Sequence, residues 1–185
     1  MNKMSKAIGL VEYRSVAIGM KAADEMVKTA EVDIITAQTV CPGKYIVLVS
    51  GKLSAVTAVV EVGTAHYDEY VVDHFILGNP DASIFSALYG TTETGKPEAL
   101  GIIETYSVAA IIKAADMAAK TSSINLIEIR IARGMSGKSY VLFSGELAAV
   151  EASIKKACKE IKDEGFLLNH SVIPNPDPKF WQTIC

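Results

Sequence analysis

Cys41 stands in a five-residue connection, Val40-Cys41-Pro42-Gly43-Lys44, between two apolar runs. The thiolate is the reactive and metal-binding form of cysteine, and Pro42 and Gly43 favour a tight turn that presents the side chain instead of packing it. One thiolate cannot hold a metal cluster, yet a threefold axis would bring three copies of Cys41 to one point. From the residues alone, ligand duty, redox duty and an ordinary free thiol all stay open. Cys158 lies beside Ile154 and Ala157 on one face of a helical segment, the setting of a buried thiol. Cys185, at the end of the sequence, is expected to be mobile. Three widely spaced cysteines make no disulfide framework, and a reducing cytoplasm would keep them as thiols.

Other residue groups offer less. Gly134-Met135-Ser136-Gly137-Lys138-Ser139 ends like a phosphate-binding loop, but Ala132 occupies the position of the first glycine. The next residues, Tyr140-Val141-Leu142-Phe143, read as a strand, whereas that motif must feed a helix N-terminus. His66, His74 and His170 are not spaced as a metal pair on one helix face. Glu12 and Glu104 each end a first strand with no opposing acid or nucleophile, which argues for an architectural contact between two halves of the chain. No nucleophile and base stand at informative spacing, so the expectation is a protein that is not an enzyme.

The elements that must position Cys41 occur twice. Residues 7–39 align with 99–131 with 13 of 33 identical, and residues 43–60 align with 137–154 with 10 of 18 identical. Between these blocks the second copy carries two extra residues and no cysteine, Ala132-Arg133-Gly134-Met135-Ser136-Gly137-Lys138. His74 and Asn79-Pro80-Asp81 recur as His170 and Asn175-Pro176-Asp177. This is a tandem duplication, read before any local motif.

Within each copy a buried strand over 7–12 precedes a helix capped by Ser15. Val16, Met20, Ala23, Val27 and Ala30 form one apolar helical face. Strands over 32–40 and 45–50 flank the cysteine loop, followed by a helix over 53–62 and a strand over 70–77. The order βαββαβ is the ferredoxin-like, split βαβ pattern, so the expected class is α/β (α+β) with two tandem domains, 1–95 and 96–185. The boundary falls in the polar stretch 91–97, and Trp181 is expected to pin the proline-rich stretch 174–178 to the body.

Composition narrows the setting. The 185-residue chain is 50% hydrophobic with mean hydropathy +0.27, yet no apolar run approaches the length needed to span a bilayer. Surplus apolar surface is therefore expected to meet other subunits. A net charge of −3 with dispersed Lys and Arg gives no nucleic-acid footprint. Residues 1–6 and the short apolar run after them lack the features of a secretory signal, so the expected location is cytoplasmic.

The string ALGIIETYSVAAIIKAADMAAKT (99–121), its copy AIGLVEYRSVAIGMKAADEMVKT (7–29), and the segments SGKLSAV and SGELAAV resemble the signature of bacterial microcompartment shell proteins. The likeness covers nearly the whole chain, twice. It implies two shell domains per chain, a homotrimer forming a pseudohexagonal tile, and tiles joined to other shell proteins around encapsulated enzymes, redox enzymes among them. Within the family, Cys41-Pro42-Gly43-Lys44 is similar to the first pore loop of tandem shell proteins of the propanediol-utilisation type. That resemblance implies three Cys41 thiolates holding a [4Fe-4S] cluster in the central opening, with Pro42, Gly43 and Lys44 lining it and the Lys44 charges offsetting those of the cluster. Clusters ordinarily take four cysteines, so the fourth iron would take a non-protein ligand. The alternative is an opening that passes small metabolites without a cluster. Lys28 and Lys120 resemble the family's tile-edge lysine. Its edge arginine has no counterpart, since both copies read Asn-Pro-Asp there, and the contact that arginine makes to a neighbouring tile is in doubt.

Overall fold

The computed structural model describes residues 7–184. The calls on residues 1–6 and on Cys185 lie outside the described residues. Contacts divide the chain into two compact units. The first holds the residues up to Pro80 together with Ser107–Ala109 and Ala132–Gly137. The second holds Asp81–Tyr106, Ala110–Ile131 and the chain from Lys138 onward.

The first copy runs β1 (Ala7–Tyr13), α1 (Val16–Thr29), β2 (Val32–Val40), β3 (Lys44–Gly51), α2 (Leu53–Ala65), a 3₁₀ turn (Asp68–Tyr70), β4 (Val71–Leu77) and α3 (Ser83–Tyr89). The second runs β5 (Ala99–Thr105), α4 (Val108–Thr121), β6 (Asn125–Arg130), β7 (Ser139–Gly145), α5 (Leu147–Lys162), β8 (Leu167–Ile173) and α6 (Pro178–Trp181). Each copy forms one four-stranded antiparallel sheet, in the orders β2-β3-β1-β4 and β6-β7-β5-β8. This is the expected βαββαβ architecture, with the first strand held between the second strand of the hairpin and the last strand.

In the first unit, Ala7, Val11 and Tyr13 of β1 and Tyr45, Val47 and Val49 of β3 pack with Ala22, Ala23 and Met26 of α1 and Val56, Val59 and Val60 of α2. The buried stripe of α1 is Gly19, Ala22, Ala23 and Met26, not the face drawn through Met20, which is 53% exposed. Small side chains win the inner face because the helix lies close on the sheet: a Cβ on Gly19 would fall 2.6 Å from the Tyr45 Cβ. Met20 is thereby turned outward, while Val16 stays partly buried against the core.

In the second unit α4 is covered almost all round. Ala110, Ile111, Ile112, Ala114, Ala115 and Ala118 are fully buried and Asp116 nearly so. α3 packs on β6, and Trp181 is buried with Leu100 and Ile127, its indole N–H donating to the Gly95 carbonyl at 3.4 Å.

Candidate functional site

The Cys41 loop is a turn held from both ends. Gly43 adopts φ +87°, a conformation that glycine takes without a Cβ penalty, and its N–H donates to the Val40 carbonyl at 3.0 Å. Cys41 follows the last residue of β2, is joined to Pro42 by a cis peptide and is half-exposed, while Pro42 and Gly43 are exposed. Its own N–H donates to the Ala132 carbonyl at 2.9 Å, and the Arg133 guanidinium donates to Gln38 Oε1 on β2, all within the first unit. Ala132 and Ser136 both sit at positive φ (40° and 52°), a conformation few non-glycine residues accept. An open cleft of about 340 Å³ is lined by Val16, Thr39, Val40, Cys41, Gly43, Arg133 and Gly134. Cys41 therefore shares this cleft with Arg133.

Behind the loop lies a buried polar cluster. Glu12, next to last in β1, has no solvent exposure. Its Oε1 accepts from Lys44 Nζ at 2.6 Å and its Oε2 from the Val108 N–H at 2.9 Å. Ser107 Oγ lies 3.2 Å from Glu12 Oε2 and 2.5 Å from Asp73 Oδ2, so its single proton goes to the nearer Asp73. The Lys44 side chain is 14% exposed. Its ammonium is turned back onto Glu12, and it acts as an anchor that fixes where the turn begins. The cationic side chain lining the cleft is Arg133. The expected contact between copies thus appears at Glu12, with Ser107 and Val108 as its partners.

Comparison with known proteins places this geometry. A BMC domain model matches residues 7–80 and again 99–176. The bacterial microcompartment shell protein PduT of Citrobacter freundii is 38% identical, with 97% of each chain covered. The chain belongs to the BMC-domain family of microcompartment shell proteins. A solved microcompartment protein from Desulfitobacterium hafniense DCB superposes with a TM-score of 0.85 at 44% identity, covering 96% of this chain and 98% of that one. The fused permuted hexameric shell protein of the RMM microcompartment shares the fold, with a TM-score of 0.65 at 16% identity over 88% of this chain and 87% of that one. This BMC protein is a tandem shell protein, one BMC domain per copy, and its place is the microcompartment shell. No helix among the described residues is long and apolar enough to cross a membrane.

The remaining sequence candidates of this BMC protein spread over the fold. Lys28 and Lys120 occupy the last turns of α1 and α4, each ion-paired one helical turn back at 2.5 Å. Lys28 is 71% exposed on an exposed Asp24, whereas the partner of Lys120 is the buried Asp116, which also accepts from the Asp81 N–H at 2.7 Å. His74 and His170 are exposed on β4 and β8, and no group of three metal-ligating side chains forms among the described residues. Burial pushes the Cys158 thiol up to about 11.

Sequence reasoning missed the helices at both Asn-Pro-Asp strings. Asp177 caps its helix, its Oδ1 accepting from the Lys179 N–H at 2.8 Å, whereas Asp81 stands one residue before the α3 cap Ala82 and its Oδ1 accepts from the Ser83 N–H at 2.9 Å. The signal was present as Asp-x-Ser in the first copy and Asp followed by Pro178 in the second.

Proposed function

We propose that three copies of this shell protein close into a pseudohexagonal tile, with 1–95 and 96–185 as its two tile-forming domains. In this tile the three Cys41 thiolates together hold a [4Fe-4S] cluster at the central opening. The observation that carries the reading is the Cys41 turn: a half-exposed thiol, at a loop held by Glu12–Lys44 on one side and the Ala132 carbonyl on the other. The donor type fits, since thiolates are the usual ligands of such clusters. With no three-ligand group inside one chain among the described residues, a complete set needs several chains. When bound, the cluster supplies one-electron chemistry, which suits passage of electrons across the shell or delivery of clusters to redox enzymes inside. The chain itself holds and orients. Pro42 and Gly43 form the rim, Lys44 anchors the loop, Arg133 provides positive charge beside the thiolate, and no catalytic step is assigned to any residue. Lys28, the more exposed of the two helix-end lysines, serves the tile edge toward other shell proteins, with Lys120 as its second-copy counterpart.

Anaerobic purification followed by iron and sulfide analysis tests the reading. The expected result is a brown protein with about four irons per three chains, lost in Cys41→Ser while the oligomer persists. A colourless, iron-free wild type after anaerobic reconstitution would overturn the cluster and leave the shell assignment standing.

A further inference from the structure

We infer that Glu104 and the first turn of α1 are the two unmatched halves of a joint between chains, whose occupant is a second copy of this chain. The inference rests on the trimer proposed above and names the contact that closes it. Its template is already made once. Glu12 accepts from the Val108 N–H at 2.9 Å, and Ser107 Oγ, beside Glu12, donates to Asp73, the residue opposite Glu12 in the β1–β4 register. In the duplicated sequence Glu12 corresponds to Glu104, Ser107 to Ser15, Val108 to Val16 and Lys44 to Lys138. Asn169 stands opposite Glu104 in the β5–β8 register, where Asp73 stands opposite Glu12.

One chain therefore uses one acceptor half and one donor half, and carries a spare of each. The spare acceptor, Glu104, is half-buried and has no hydrogen-bond or ion-pair partner among the described residues. The spare donor is the α1 start, where Ser15 caps the helix and Val16 is half-exposed. The surface around it agrees. Met20 is 53% exposed where its counterpart Ile112 is fully buried, and Ala17 is exposed where Ala109 is fully buried. α1 thus shows solvent the face that α4 covers.

An unmatched acceptor half and an unmatched donor half that differ from one another give a head-to-tail contact instead of a twofold pair, and such a contact makes a ring where its rotation closes. Within- and between-chain joints would alternate around that ring. The two differ in charge, since Asn169 replaces the Asp73 carboxylate.

Two experiments on the full chain test the joint. In a Cys41→Ser, Cys185→Ser background, Ser15→Cys with Asn169→Cys is treated with a short bis-maleimide. Bands of linked chains are expected on a denaturing gel, absent from each single-cysteine control. Sedimentation of Glu104→Ala is expected to show a dissociation concentration at least about tenfold above wild type, with an unchanged melt of the separated chain. An assembled wild type with no linked bands, or with dissociation unmoved by Glu104→Ala, overturns the joint while the trimer stands. A wild type that sediments as a single chain at every concentration overturns both.

Discussion

Gly19 of α1 meets Tyr45 of β3 at a place where the second copy carries Ile111 and Ser139, both fully buried. One copy fills the space between helix and sheet from the strand, the other from the helix. Gly9 and Gly101 repeat the lesson: a Cβ on Gly9 would strike Val60 and Val56 of α2 at 2.6 and 2.7 Å, whereas a Cβ on Gly101 would strike the Phe143 ring of β7 at 2.4 Å. The backbone is shared because volume is balanced within each copy, not because the same residues pack. The second solution has a defect. Ser139 Oγ is buried without a hydrogen-bond partner among the described residues. The loops diverged further, in length as well as in residue type: one carries a thiol on a glycine turn, the other two non-glycine residues at positive φ, of which Ala132 is fully buried.

The largest way to break the comparison is at the made joint. Glu12→Ala removes the 2.6 Å carboxylate from a largely buried Lys44 and the acceptor of the Val108 N–H, and should cost about 3–5 kcal/mol of chain stability. Glu104→Ala should leave the denaturant midpoint of the separated chain near wild type. Equal losses would mean that the two glutamates do not differ in role.

A smaller effect tests the packing exchange. Gly19→Ile should overpack α1 against Tyr45 and cost roughly 1–3 kcal/mol. Gly19→Ile with Tyr45→Ser, which imports the second copy's pair, should recover most of that loss in thermal melts. A double variant no better than the single one would refute volume balance as the rule.

The smallest effect sharpens the contrast between two tyrosine–carboxylate pairs. Tyr67 is pushed up to about 12 chiefly by its 2.6 Å hydrogen bond to Glu25, and Tyr140 to about 12 chiefly by burial, with its bond to Glu128 second. Both phenols ionise near 10.0 when unfolded. The folded state holds the proton longer, so this contribution is complete below pH 10 and is lost as pH rises toward 12. In phenolate absorbance titrations, Glu25→Gln should lower the Tyr67 midpoint more than Glu128→Gln lowers that of Tyr140.

Much of this was legible in the chain. The alternating and helical periods located the strands and long helices within a few residues, and the repeat pointed to Glu12 and Glu104 as architectural before any contact was seen. The Cys41 turn followed from Pro42 and Gly43. The face of α1 was misjudged because periodicity counts apolar residues, while close packing on a sheet selects small ones, putting Gly19 inside and Met20 outside. α3 and α6 were missed because such short helices carry almost no period, and their start signals are single residues, Asp177 at the cap of α6 and Asp81 just before that of α3.

The sequence by itself determined the duplication, the βαββαβ order and the presence of a cysteine in one of the two equivalent loops, because each is written in local pattern and self-similarity. Only the tertiary structure decided that Lys44 turns inward to Glu12, that Arg133 comes beside Cys41, and that Ser107 and Val108 meet a glutamate some 95 residues earlier in the chain. Such pairings join residues distant in sequence. They arise from burial and hydrogen-bond satisfaction once the sheets have formed, and no local period records them.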